Sequence, residues 1–186
     1  MGAWDGGLRL LDRAGREIED DLADRPGALS VLGTVHLRTA IMAARGGRAS
    51  PAWDSVSRAR EVSARIGHDT RDYGLLFGPS NVAIHEVAVA VELGDADEAI
   101  RRGADLFLPV GLSRERSSHH YIDLSRAWLW QHDAAKALAC LVKAEHLAPQ
   151  RTRYHPMARE TVVRLLDIQR RRPEPLRGIA ARMGLP

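Results

Sequence analysis

The sequence is poor in aromatic residues and in cysteine, and it has no long apolar run. Aromatic residues make up 5% of the 186, and Cys140 is the single cysteine. One cysteine excludes an internal disulfide framework and favours a reducing compartment. Apolar runs such as 87–91 are far too short to span a bilayer. Acidic residues follow the N-terminus where a secretory signal is apolar. These absences predict a cytoplasmic protein that does not enter a membrane.

Alternating runs of Val, Ile and Thr are also missing, which disfavours strands. Ala, Leu, Arg and Glu dominate instead, and apolar residues recur at helical spacing almost throughout. The sequence therefore predicts an all-α fold. The predicted helices span about 4–22, 28–44, 50–66, 80–93, 97–107, 113–130, 133–147, 156–171 and 174–182. Ser50, Ser80 and Ser113 are the predicted N-caps of three of them, and Pro149 is expected to end another.

The predicted helices pair into hairpins that repeat along the chain. When two hairpins are aligned, Gly94 matches His132 and Ala99 matches Ala137, a spacing of 38 residues. Tetratricopeptide hairpins repeat every ~34 residues and need a small residue where their two helices approach. An earlier and weaker copy places Gly47 and Ala52 at the same two positions. We therefore expect one tetratricopeptide-like domain, an α-solenoid, over 1–186. The expected repeats are about 28–66, 80–107, 113–149 and 156–183, after an orphan N-terminal helix over 1–22. A generic helical bundle is the alternative.

Three ordered blocks of the sequence carry a resemblance to a known family. They are "FGPSNVAIHEVAVAVELGDADEAI", "RERSSHHYIDLSRAWLWQHDAAKAL" and "LVKAEHLAPQRTRYHPMARETVVRLL". Together they resemble the C-terminal tetratricopeptide-like half of actinobacterial helix-turn-helix transcriptional regulators of the xenobiotic-response-element (Cro/CI-like) type. The likeness covers most of residues 28–170.

The resemblance implies a role in the control of transcription. In such regulators the repeat half senses a ligand or a partner and often dimerises. The N-terminal DNA-binding domain of the family has no counterpart in this sequence, and neither does the recognition helix that enters the major groove. We therefore do not expect direct sequence-specific DNA binding. The expected function is a ligand- or peptide-sensing interaction domain.

Candidate ligand-binding residues lie on the first helices of the second, third and fourth hairpins, because the first helix of a stacked hairpin lines the concave surface. Three- and four-residue steps place most of the polar residues of the third such helix on one face. Amide groups and guanidinium groups of this kind can hold a peptide backbone or a small acidic metabolite. The bland alternatives are that Asp123 and Arg126 pair only with each other and that Asn81 merely caps its helix. The candidate residues are Asn81, His85, Arg116, His119, Asp123, Arg126 and Arg159.

The sequence carries no motif that assigns a metal, a cofactor or a catalytic residue. Neither H-E-x-x-H nor C-x-x-C occurs, and G-x-S-x-G and phosphate-binding loops are missing too. Cys140 falls on an apolar helix face, which favours packing over nucleophilic chemistry. We expect no metal and no cofactor, and a non-catalytic role. A stand-alone enzyme using His85, His119 and Asp123 as acid or base is one alternative, and a pure protein–protein adaptor is another.

The first predicted helix and the arginine-rich residues 150–186 are two further candidate interaction surfaces. Apolar residues of the first helix, such as Leu8 and Leu11, are expected to be exposed because half a repeat would be missing before them. This predicts a homodimer or other self-association. Residues 150–186 contain nine arginines and three acidic residues, a local charge of +6. That excess can contact an acidic partner, or it can be a solvated helix end.

Overall fold

The computed structural model describes residues 3–21, 25, 27–169 and 171–186, and the elements in these ranges are helices. They are α1 (Ala3–Asp21), α2 (Ala28–Arg45), α3 (Ala49–Ile66), a 3₁₀ turn (Asp72–Gly74), α4 (Pro79–Glu92), α5 (Ala96–Gly103), α6 (Arg114–Trp130), α7 (Ala134–Leu147), α8 (Pro149–Tyr154), α9 (Pro156–Ile168) and α10 (Glu174–Arg182). The all-α prediction is confirmed. Within the described residues, no helix combines the length and apolar content that a membrane crossing requires.

The chain divides into two compact units, one ending at Leu93 and one spanning Gly94–Pro186. In the first unit α1 packs on α2, α2 packs on α3, and α4 lies against both α2 and α3. Phe77, just before α4, is fully buried in the core of this unit. A Cβ added to Gly33 of α2 would lie 1.9 Å from the Phe77 ring, so glycine at 33 makes room for that ring.

In the second unit α6 packs on α7, and α9 packs on α6. Its core is formed by fully buried residues such as Ile122, Leu141, Val162, Leu165 and Ile179.

Three interhelical turns share a local geometry. Gly47, Gly94 and His132 each lie between two consecutive helices and have φ of 70°, 78° and 58°. Residues five positions later are alanines that are completely buried in the first turns of α3, α5 and α7: Ala52, Ala99 and Ala137. The positions aligned from the sequence are therefore equivalent in backbone conformation and in burial.

Two of the three predicted serine caps are wrong, and one is confirmed. Ser113 accepts a hydrogen bond from the Arg116 amide at 3.2 Å. Ser50 instead lies inside α3, which begins at Ala49. Ser80 lies inside α4, where its amide donates to Asp69 Oδ1 at 3.0 Å, so the capping carboxylate comes from eleven residues away.

Helix ends differ from the predictions at a few further places. Pro149 does not simply end α7, which stops at Leu147; it occupies the first turn of α8, where a missing N–H costs nothing. The α5 helix ends at Gly103 rather than near Phe107. In α1, Leu8 and Leu11 are half-buried rather than exposed, and the exposed leucine is Leu10 at 70%. Leu22, the last residue of the predicted first helix, lies outside the described residues.

Candidate functional site

The predicted site residues fall in both units. Asn81 and His85 belong to α4 in the first unit. Arg116, His119, Asp123 and Arg126 belong to α6, and Arg159 to α9, in the second unit.

Asn81 anchors the connection that precedes α4. Its side chain is only 2% exposed, and Nδ2 donates to the carbonyl of Leu76 at 2.7 Å. The Asn81 Oδ1 atom is buried and accepts no hydrogen bond from a described residue. His85 is buried one turn later, with Nδ1 2.8 Å from the backbone carbonyl of Asn81. Asn81 is thus not a helix cap, and its amide holds the connection in place.

The polar face of α6 is built around the carboxylate of Asp123. This side chain is 4% exposed, with Oδ1 3.7 Å from the Arg126 guanidinium and Oδ2 3.8 Å from His119 Nε2. Both separations are longer than a direct hydrogen bond. The ring of His155, the residue before α9, meets the His119 ring edge-on with centroids 4.9 Å apart. The structure therefore brings His119, Asp123 and Arg126 together, as their spacing predicts.

Arg159 and Arg116 are placed differently from these three. Arg159 Nη1 donates to the carbonyl of Met183 at 2.6 Å and lies 3.3 Å from that of Arg153. It thereby ties α9 to the end of α10. Arg116 is half-buried in the first turn of α6. Neither guanidinium lines the cleft between α6 and α9.

A cleft of about 380 Å³ lies between α6 and α9, and Arg126, the neighbour of Asp123, is one of its lining residues. Arg126 forms one end of it, with its guanidinium carbon 5.3 Å from the centre of the Trp130 ring, within reach of a cation–π interaction. Glu160 and Arg164 of α9 contribute exposed charges, and neither makes an ion pair with a described residue. The remaining lining is Leu129, Trp130, His132, Met157, Thr161 and Ile168.

Arg126 is the one predicted site residue among the described residues that line this cleft, and its whole α9 side was missed. Met157, Glu160, Thr161, Arg164 and Ile168 follow three- and four-residue steps, so the helical period places them on one face. That periodicity was available in the sequence. The pairing of this face with α6 is a tertiary contact, which the period alone does not predict.

The first unit has a cleft of its own, about 570 Å³ in volume, among α1, α2 and α3. Its lining mixes acidic and basic side chains, including Glu19, Glu61 and Arg58, around the buried His36. Burial lowers the pKa of His36, an effect that the Glu19 carboxylate opposes.

The structure argues against thiol chemistry. Burial raises the pKa of Cys140 to about 11, so the thiol is protonated at neutral pH and is a poor nucleophile. Among the described residues, no three His, Cys, Asp or Glu side chains converge as metal ligands.

Part of the C-terminal arginine excess is used within the second unit. The buried Glu145 accepts hydrogen bonds from Arg182 at 2.8 and 2.6 Å and from Arg153 at 2.8 Å. Burial alone would raise the pKa of Glu145, but the bonds from Arg182 and Arg153 outweigh it and lower that pKa. Two of the nine arginines thus neutralise one internal carboxylate.

Comparison with known proteins adds no relative. No protein-family model, no curated protein and no solved structure matches this chain.

Proposed function

We propose that this chain is a sensing or interaction domain that binds a small molecule or a peptide end in the α6–α9 cleft. The observation that carries the proposal is the position of Arg126, between the buried Asp123 and the ring of Trp130 at the edge of an apolar cleft. The ligand chemistry that fits is an apolar body with a carboxylate.

The carboxylate is the group that the cleft selects. Arg126 and Arg164 approach the cleft from different helices, and a guanidinium donates two parallel hydrogen bonds to a carboxylate. Among the described lining residues Glu160 is acidic, Arg126 already faces Asp123, and Arg164 makes no ion pair with a described residue and so remains available to an anion. An anion is favoured, and an amino group on the same ligand can contact Glu160.

The apolar body is accommodated by the rest of the lining. Leu129, Trp130, Met157 and Ile168 supply an indole ring, a thioether and two aliphatic side chains. A volume of about 380 Å³ falls within the range of small-molecule sites, ~300–1,000 Å³. The ligand is therefore expected to be of metabolite size, or the terminal residues of a peptide.

The scaffold of this function is proposed to be tetratricopeptide-like and descended from the sensor half of a Cro/CI-like regulator. The repeated turn geometry at Gly47, Gly94 and His132 and the sequence blocks quoted above support this origin. A homodimer through α1 is part of the proposal, because Leu10 is a large apolar residue left exposed on that helix. Sedimentation of Leu10→Ser, compared with the unmodified chain, tests it.

Saturation-transfer NMR with phenylacetate tests the binding proposal, with phenylacetamide as the uncharged match. We expect the acid to bind and the amide to bind at least about tenfold more weakly. Arg164→Ala should weaken the binding of phenylacetate and leave that of phenylacetamide unchanged. Because Arg164 is exposed, this variant should fold normally. Arg177→Ala, an exposed arginine of α10 outside the cleft, is the matched control. Equal binding of acid and amide, or an equal effect of both variants, would contradict the proposal.

A further inference from the structure

The segment between α5 and α6, residues 106–112, exposes large apolar side chains. Phe107 is 80% exposed, and Val110 is fully exposed. The segment is nevertheless held by its backbone, since the Leu106 and Leu112 amides donate to the carbonyls of Gly103 and Pro109 at 3.3 and 2.9 Å. Apolar surface that is ordered yet left in water contributes nothing to folding and is typical of an interaction site.

These side chains form one wall of a groove of about 490 Å³. Tyr121 of α6 and Lys143 and Leu147 of α7 also line this groove. The groove belongs entirely to the second unit and shares no lining residue with the α6–α9 cleft. Binding of a partner in this groove therefore requires no residue of the proposed ligand site.

The charged lining residues of the groove are both cations, Arg114 and Lys143. Lys143 Nζ lies 4.3 Å from the centre of the Tyr121 ring. Arg114 is the first residue of α6, where the helix dipole disfavours a cation, so helix stability does not account for it. Asp105 and Glu115 are close in sequence but are exposed and do not line the groove.

We propose that this groove binds an acidic amphipathic helix of another protein. Apolar side chains of the helix would pack against Phe107 and Val110, and its carboxylates would meet Arg114 and Lys143. A second copy of this chain fits less well, because two-fold pairing of the same face would bring four cations together. The two cations that line the groove, Arg114 and Lys143, therefore favour an acidic protein other than a second copy of this chain.

A phage-displayed library of random 16-residue peptides lets the protein select its own ligand. We expect enriched peptides to carry apolar residues at helical spacing and an excess of Asp and Glu. Synthetic copies should bind in fluorescence polarisation, and the double variant Phe107→Ser/Val110→Ser should lose about tenfold or more. Tyr154→Ser, which alters an equally exposed ring of the same unit, is the matched control and should bind normally.

Charge exchange tests the second half of the proposal. Arg114→Glu/Lys143→Glu should reject the acidic peptides and bind versions in which Glu is replaced by Lys. No enrichment, peptides without acidic excess, or binding that survives the Phe107/Val110 double variant would overturn the proposal. A dimer that this double variant dissociates, or binding of anionic lipid vesicles in place of peptides, would identify another occupant and overturn it too.

Discussion

The carboxylate of Asp123 lies 3.7 Å from the guanidinium of Arg126, one turn along α6, and is almost completely buried. A buried carboxylate attracts a nearby cation strongly, because little water screens the pair. Asp123 thereby holds Arg126 at the edge of the cleft, facing Trp130. The sequence left two simpler interpretations open: that Asp123 and Arg126 pair only with each other, and that Asn81 merely caps its helix. Asp123 and Arg126 are indeed neighbours, but Arg126 also lines a cleft, and Asn81 is not a cap.

The cap of α4 can be tested by a matched pair of alanine substitutions. Asp69→Ala removes the acceptor for the Ser80 amide and should lower the free energy of unfolding by about 1 kcal/mol. Ser80→Ala should change it by less than ~0.5 kcal/mol, since its hydroxyl is not the cap. Urea unfolding of both variants measures the difference. Equal losses, or a larger loss at Ser80, would contradict the assignment.

The contact between Gly33 and Phe77 predicts opposite effects for two glycine-to-alanine changes. In Gly33→Ala the new Cβ would overlap the buried ring, which should cost about 1–3 kcal/mol and outweigh the gain in helix propensity. In Gly15→Ala of α1 the new Cβ would lie 3.8 Å from Val35, an ordinary contact, so this change should stabilise by about 0.5–1 kcal/mol. Thermal unfolding of both variants gives the two signs. A Gly33→Ala protein as stable as the unmodified chain would contradict the close contact between Gly33 and the Phe77 ring.

Glycine, the residue at the two equivalent turn positions 47 and 94, should stabilise the turn at position 132. His132 has φ of 58°, where Gly47 and Gly94 stand in the other two turns. His132→Gly should stabilise by up to about 1 kcal/mol, because glycine enters this conformation without strain. Gly94→Ala should destabilise by a similar amount, since no neighbouring atom offsets the strain. Changes of the same sign in both, measured by urea unfolding, would argue against equivalent turns.

Acidification should destabilise the second unit through His120. Burial lowers the pKa of this fully buried imidazole to about 4, and the nearby carbonyl of Gly103 offsets the effect only in part. The unfolded chain then binds the proton first. Stability is therefore unaffected by this group above pH ~6.5 and falls by up to about 3 kcal/mol as the pH drops towards 4.

The control is His120→Gln, which cannot titrate. Its unfolding free energy should show a shallower loss between pH 6.5 and 4 than that of the unmodified chain. His36, whose pKa burial also lowers, contributes in the same direction and remains in both proteins. Parallel profiles of the two proteins would show that His120 is not the group responsible.

Local signals in the sequence predict much of the helical structure. The predicted helix over about 174–182 agrees with α10, Glu174–Arg182, and the Ser113 cap follows from its own hydroxyl. The α4 cap could not be predicted in this way, because its acceptor, Asp69, is eleven residues away from Ser80 in the sequence. The two residues meet where the backbones of Thr70 and Phe77 pair with each other. Of the described residues that line the cleft, only Arg126 was predicted as a site residue. The polar face of α6 follows from spacing, but the cleft itself is formed by the packing of α9 on α6, which is a tertiary contact.

Native mass spectrometry tests the central claim most directly. The protein, incubated with a small-molecule extract of the cells that express it, is weighed intact and again after denaturation. We expect an additional bound mass that denaturation removes. This mass should be retained in Arg177→Ala and lost in Arg126→Ala and Arg164→Ala. A bare protein, or an adduct that all three variants retain, would contradict a ligand site in the α6–α9 cleft.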